Sequence, residues 1–181
     1  MEEQMARRLV AAEGKKLQQA GLVARTWGNI SCRIDENHFV ITPSGLDYET
    51  MTAVDLVLMD IRNGVCCGAH KPSSEKGVHL AAYQTFPEVG LCGFEQLAMT
   101  EEEAEKLGGI ARAAYGLSST EKLAGAVYDA MQSGAKVVFM VHHGVLICGK
   151  DREEAFSRAM LLEEICKRSI LGQPKKKPRK D

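Results

Sequence analysis

Apolar positions over the first twenty residues return at helical spacing. Met5, Leu9, Ala12 and Leu17 fall near one face and Gly21 supplies a stop, predicting a helix from about Glu3 to Ala20. Thr26-Trp27-Gly28-Asn29 is turn-like. Ile30 to Ile34 and Phe39 to Ile41 read as a strand pair around the polar turn Asp35-Glu36-Asn37, and Thr42-Pro43-Ser44-Gly45 breaks the second strand. Leu56 to Ile61 is a further strand, closed by an Asn63-Gly64 turn. Lys71-Pro72-Ser73-Ser74-Glu75 opens a helix to about Thr85, with Pro72 and the serines as start signals. Ser118 with Glu121, and Asp151 with Glu154, have the spacing of capping boxes. They predict one helix ending near Ser133-Gly134 and a last helix with Phe156, Ala159, Leu162 and Cys166 on one stripe. Between these helices, Val137 to Val141 and Val145 to Cys148 are apolar strands flanking His142-His143-Gly144. Helices alternating with hairpin-connected strands predict an α/β domain whose sheet is mixed or mostly antiparallel.

Composition narrows the class. The chain has 181 residues, 45% hydrophobic and 26% charged, as expected of one globular domain able to bury a core. No run approaches a membrane span, and the N-terminus lacks the plan of a signal peptide. None of the six cysteines forms a C-x-x-C pair, so they are read as reduced thiols in a cytoplasmic protein. The net charge of −1 is uneven: the segment 174–181 is basic, leaving an acidic body over 1–173. Such a body is a poor nucleic-acid surface, and the tail is expected to be solvated and disordered.

Three short segments have the character of phosphate-gripping loops: Gly28-Asn29-Ile30-Ser31, Thr42-Pro43-Ser44-Gly45 and Pro72-Ser73-Ser74-Glu75. Each offers small residues for close backbone approach and hydroxyl or amide donors. The third lies at a helix start, where free N–H groups and the helix dipole attract an anion. Ser and Gly also mark ordinary turns, so the three gain meaning only if they converge in space. Glu75 reads either as a carboxylate stabilising a helix start or as a metal ligand or general base beside bound phosphate. Of His142 and His143, at most one points into a given site if both lie on a strand.

These words, followed by His79-Leu80-Ala81-Ala82-Tyr83, Phe86-Pro87-Glu88-Val89-Gly90, Gly134-Ala135-Lys136, His143-Gly144-Val145 and the Glu154-Ala155 helix, occur in order over nearly the whole chain. In them the chain resembles the class II aldolase/adducin family, on the side of its L-fuculose-1-phosphate aldolases. The resemblance implies a three-layer α/β/α fold with a central mixed, mostly antiparallel sheet, and a C4 homotetramer with active sites between subunits. Gly28, Asn29, Ser44, Gly45, Ser73 and Ser74 would hold the substrate phosphate. Glu75 would be a zinc (Zn2+) ligand that leaves the metal to act as acid/base, and His143 a second ligand. The implied reaction is zinc-dependent cleavage of a ketose 1-phosphate, such as L-fuculose 1-phosphate, to dihydroxyacetone phosphate and an aldehyde. Epimerase or dehydratase chemistry, and a metal-poor binding or assembly module, are the alternatives on this scaffold.

The chain also departs from the family pattern. After Gly90 the family continues with a strand ending in a His-x-His pair, followed by a helix. Here Leu91-Cys92-Gly93-Phe94 follows at once, and no His-x-His occurs among His38, His70, His79, His142 and His143. A strand, a helix and loops are therefore expected to be missing, with two zinc ligands where catalytic zinc normally takes three. His70 and His79 are the candidates for substitution, His79 because it shares a helix face with Glu75. The family's proton-donating tyrosine has no assigned counterpart, and Tyr115 aligns with a structural one.

Overall fold

Period-two strands and amphipathic helices resolve into three layers in the computed structural model, which describes residues 1–23, 28–86, 91–94, 107–141 and 143–171. Helix α1 spans Glu3–Gln19, followed by strands β1 (Ser31–Arg33) and β2 (His38–Ile41). A 3-10 turn at Ala53–Asp55 leads into β3 (Val57–Asp60) and β4 (Cys66–Cys67). Then come α2 (Lys76–Thr85), β5 (Leu91–Phe94), β6 (Ile110–Ala113), α3 (Glu121–Met131), β7 (Val137–Met140), β8 (Gly144–Gly149) and α4 (Arg152–Leu171). The strands form one sheet in the order β4-β3-β2-β1-β5-β8-β7-β6. The β6–β7 pair is parallel and the other pairs are antiparallel.

Alternation along the strands builds the layers. Phe39, Ile41, Val138, Met140, Leu146 and Cys148 face the side covered by Val78, Ala82 and Tyr83 of α2 and by Leu123, Val127 and Met131 of α3. Val40 packs on the other side, against Ala6, Val10 and Ala11 of α1. Val137, Val145 and Ile147 do the same against Ala159, Leu162, Ile165 and Cys166 of α4. Each fully buried large side chain, such as Met131 or Leu162, contributes about 1.5–3 kcal/mol of burial. Across the seam between α1 and α4, buried Glu13 accepts from Lys16 at 2.8 Å and lies 3.8 Å from Arg152. Gly149 lets α4 approach the sheet: a Cβ there would lie 2.4 Å from the Ala155 nitrogen.

Several boundaries differ from the sequence pattern. Lys71 to Glu75 does not begin the helix. Pro72 instead bridges to Pro43, and Glu75 is the N-cap of α2. Ser118 is not the cap of α3; the Thr120 side chain accepts from the Leu123 N–H. The Asp151 cap holds, its carboxylate accepting from the Glu154 N–H at 2.8 Å. The central strand is present: β5, immediately after the expected junction, sits between β1 and β8. Its register pairs Cys92 with Ser31 on one side and with Cys148 on the other. The sheet therefore runs unbroken without the His-x-His sequence. The basic tail and His142 lie outside the described residues.

Candidate active site

Thr42, at the end of β2, ties the three loops together. Its backbone N–H donates to Ile30 O at 3.0 Å, and its Oγ1 accepts from the Ile30 N–H at 3.2 Å. Its carbonyl accepts from the Ser73 N–H at 3.0 Å, and the Ser44 N–H donates to Lys71 O at 2.9 Å. The segments 28–31, 42–45 and 71–75 thus run side by side at the N-terminus of α2. Ser44, Gly45 and Ser74 are exposed, whereas Asn29 and Ser73 are buried. Gly28 adopts φ +86°, and a Cβ there would lie 2.7 Å from Val23 Cγ1. A side chain at this position would be both strained and obstructed. The buried Tyr48 ring stands behind this knot, its hydroxyl facing Thr42, and burial raises its pKa. That hydroxyl forms no hydrogen bond of normal geometry.

Asn29 belongs to a buried polar chain. Its Oδ1 meets His79 Nε2; His79 Nδ1 lies 2.7 Å from Ser31 Oγ, which lies 2.7 Å from the Tyr83 hydroxyl. His79 is fully buried, and desolvation lowers its pKa from 6.5 to about 3, so its ring is neutral at physiological pH. With both nitrogens engaged, His79 offers no lone pair to a metal, and the pairing with Glu75 raised by their spacing is not a ligand pair. His70 is also committed elsewhere, with Nε2 3.0 Å from Asp55 Oδ1 on the surface.

Glu75 and His143 reach the same loop, between β6 and α3. The Ser118 hydroxyl donates to Glu75 Oε1, and the Glu75 N–H donates to Ser73 Oγ at 3.2 Å. His143 lies in the turn after β7 rather than on a strand, with its backbone N–H on Met140 O at 3.0 Å. Its Nε2 is 2.9 Å from the Gly116 carbonyl. A carbonyl only accepts, so Nε2 carries the proton in this contact and is not a free ligand atom. Tyr115, half exposed, precedes Gly116 in the same loop. Among the described residues, no three His, Cys, Asp or Glu side chains are grouped to hold a metal ion. The residues present therefore do not fit the three-ligand zinc centre that the resemblance implies.

Sequence reasoning identified the loops but not their tie. Thr42 reads as a strand breaker and as a member of one phosphate-gripping loop, not as the bridge between loops, although a hydroxyl beside a strand end is a natural bridge to a neighbouring loop. Ser118 was assigned to a cap, and its contact with Glu75 spans 43 positions with no local signal.

Comparison with known proteins agrees with the fold. The model of the Class II Aldolase and Adducin N-terminal domain matches residues 8–94 and 91–170, two stretches that meet on β5. L-ribulose-5-phosphate 4-epimerase UlaF of Salmonella paratyphi C (strain RKS4594) is 29% identical over 187 residues, covering 87% of this chain and 80% of that protein. That span exceeds the length of this chain, so the epimerase carries residues opposite gaps here. A solved L-fuculose 1-phosphate aldolase superposes with a TM-score of 0.79 at 27% identity, covering 96% of this chain and 89% of that one. YgbL from Klebsiella pneumoniae shares the fold, with a TM-score of 0.83 at 20% identity over 99% and 94% of the two chains.

Proposed function

This chain belongs to the class II aldolase and adducin family, and on that premise we propose that it binds a ketose phosphate in the three-loop pocket and acts in sugar-phosphate lyase chemistry. One observation carries the reading: Thr42 binds the Gly28, Ser44 and Ser73 loops into a single cradle at the start of α2. At that helix start the hydroxyls of Ser44, Ser73 and Ser74 and the Asn29 amide supply donors for a phosphate. Gly28 permits the tight turn of its loop, and Gly45 leaves open space where a side chain would stand. Glu75, directly after the serines, is the group placed to move a proton on the bound sugar, and the Ser118 hydroxyl orients its carboxylate.

The reaction class is aldol cleavage of a ketose 1-phosphate such as L-fuculose 1-phosphate, in keeping with the solved aldolase of similar sequence and fold. Epimerisation of a pentulose phosphate is the second reading, supported by the relation to UlaF. Zinc is not assigned, because the described residues group no third ligand with Glu75 and His143, and the proposal routes no step through a metal. That misfit among the described residues favours the third reading, a sugar-phosphate-binding module without catalysis. A cytoplasmic homotetramer completes the proposal, with exposed Tyr115, Leu117 and Tyr128 offering apolar contact area.

Calorimetry with inorganic phosphate and phosphoglycolate at low salt tests the cradle. Binding by the natural chain, lost in the Ser73→Ala/Ser74→Ala double variant, is the expected result; identical isotherms for the two proteins would overturn it. Cleavage of L-fuculose 1-phosphate, assayed beside Glu75→Gln, then separates lyase from binding module.

A further inference from the structure

The chain from Tyr83 to Asn29 crosses the boundary between core and cradle. His79 and Tyr83 lie on the buried face of α2, Ser31 is buried at the start of β1, and Asn29 is the member of the chain that precedes the strand in the 28–31 loop. A neutral imidazole has one N–H and one acceptor nitrogen, so the chain can run in two directions. In one, Tyr83 donates to Ser31, Ser31 donates to His79 Nδ1, and His79 Nε2–H donates to Asn29 Oδ1. In the other, His79 Nδ1–H donates to Ser31, and a reversed Asn29 amide donates to Nε2. The first leaves the Asn29 NH2 for the cradle. The second presents its carbonyl oxygen to an anion and repels it.

We propose that His79 is a positioning residue that sets the polarity of the cradle by accepting from Ser31 and donating to Asn29 Oδ1, so that the Asn29 NH2 is presented to the bound phosphate. This rests on the proposed role of the cradle as a phosphate site. Asn29 Oδ1 faces His79 Nε2 in the structure, as this direction requires. The other polar side chains of the cradle, the Ser44, Ser73 and Ser74 hydroxyls, can donate too. An anion gains from the Asn29 amide only when that amide shows its N–H side. His79 is well suited to hold that amide. It is buried, its ring is neutral, and both nitrogens are engaged, so it cannot turn without breaking two hydrogen bonds.

Nitrogen-15 NMR of the ligand-free natural chain reads the direction itself. A protonated Nε2 and an acceptor Nδ1 on His79 are expected; a protonated Nδ1 would overturn the proposal whatever the chain binds. Calorimetry with inorganic phosphate supplies the second arm. His79→Phe is expected to weaken binding by roughly ten- to a hundredfold, the scale of a hydrogen bond to a charged group. In the Asn29→Ala background the same substitution should have almost no further effect, because its influence passes through Asn29. Additive losses in the double variant would overturn the proposal. If the natural chain binds no phosphate, the cradle reading fails, and the NMR result still decides whether His79 holds Asn29 in the assigned direction.

Discussion

At the scale of single residues, burial decides what each titratable group can do. His79 has a folded pKa of about 3 against 6.5 when free, because burial disfavours its charged form. Unfolding therefore takes up an extra proton between those values. The native state keeps full stability above about pH 6.5 and loses it as pH falls toward 3, by about 1.4 kcal/mol per pH unit from this group. Denaturant titrations from pH 7 to pH 4 should show a steeper decline for the natural chain than for His79→Gln; parallel curves would contradict this. The thiols divide in the same way. Cys32 is buried and its pKa is pushed up to about 11, while Cys66 and Cys67 are exposed on β4. A disulfide reagent under native conditions should modify Cys66 and Cys67 rapidly, and Cys32, Cys148 and Cys166 only on unfolding. Peptide mapping after a short pulse checks the assignment.

At the scale of elements, legibility followed how far the decisive interaction reached along the chain. The helix α1, the β1–β2 pair, β7, β8 and α4 were readable because an apolar period runs through each. Strand β4 was not, since its two residues are exposed cysteines with no alternation to show, and β6 was not, since its parallel pairing with β7 is fixed by a distant strand. The start of α2 was misplaced because Pro72 and Ser73 carry helix-start chemistry while their backbone pairs with the Thr42 loop. The candidate site divides likewise. Its loop words and Glu75 stand in the sequence, whereas their union through Thr42, and the committed contacts of His79 and His143, exist only in space. Thr42→Val tests that union. It keeps the shape of the side chain and removes the acceptor of the buried Ile30 N–H, which costs about 1–3 kcal/mol. Phosphate affinity should fall with it although Thr42 is no cradle donor, and an unchanged Kd in a folded variant would show the loops hold themselves. Gly149→Ala probes packing instead. Its Cβ would lie 2.4 Å from backbone of α4, and overpacking there should cost about 1–3 kcal/mol in a melting experiment without altering phosphate binding in the folded fraction.

At the scale of the whole molecule, the retained and missing parts have different structural costs. The cradle is built from the ends of β1 and β2 and the start of α2, all N-terminal to Gly90. The sheet needs a strand between β1 and β8, because an open gap there would strand backbone donors and acceptors on both sides. Leu91–Phe94 fills it through backbone pairing, which any short extended segment can supply. A fold can therefore close over the junction while the residues that a metal centre would require from the same strand are not replaced. Two consequences can be measured together. As it stands, the chain should retain well under one zinc per molecule after dialysis, since the described residues form no three-ligand group. A family-type His-x-His strand with its following helix, inserted between Gly90 and Leu91, should take the central slot and displace Leu91–Phe94 into the connection. Retained zinc should then rise toward one per chain, and cleavage of L-fuculose 1-phosphate should appear and be abolished by Glu75→Gln. If the inserted protein folds and holds zinc but cleaves no ketose phosphate, the cradle serves a different reaction and the epimerase reading takes precedence. If the unaltered chain already holds one tight zinc, ligands outside the described residues complete the centre, and Glu75 and His143 must exchange their present partners for the metal.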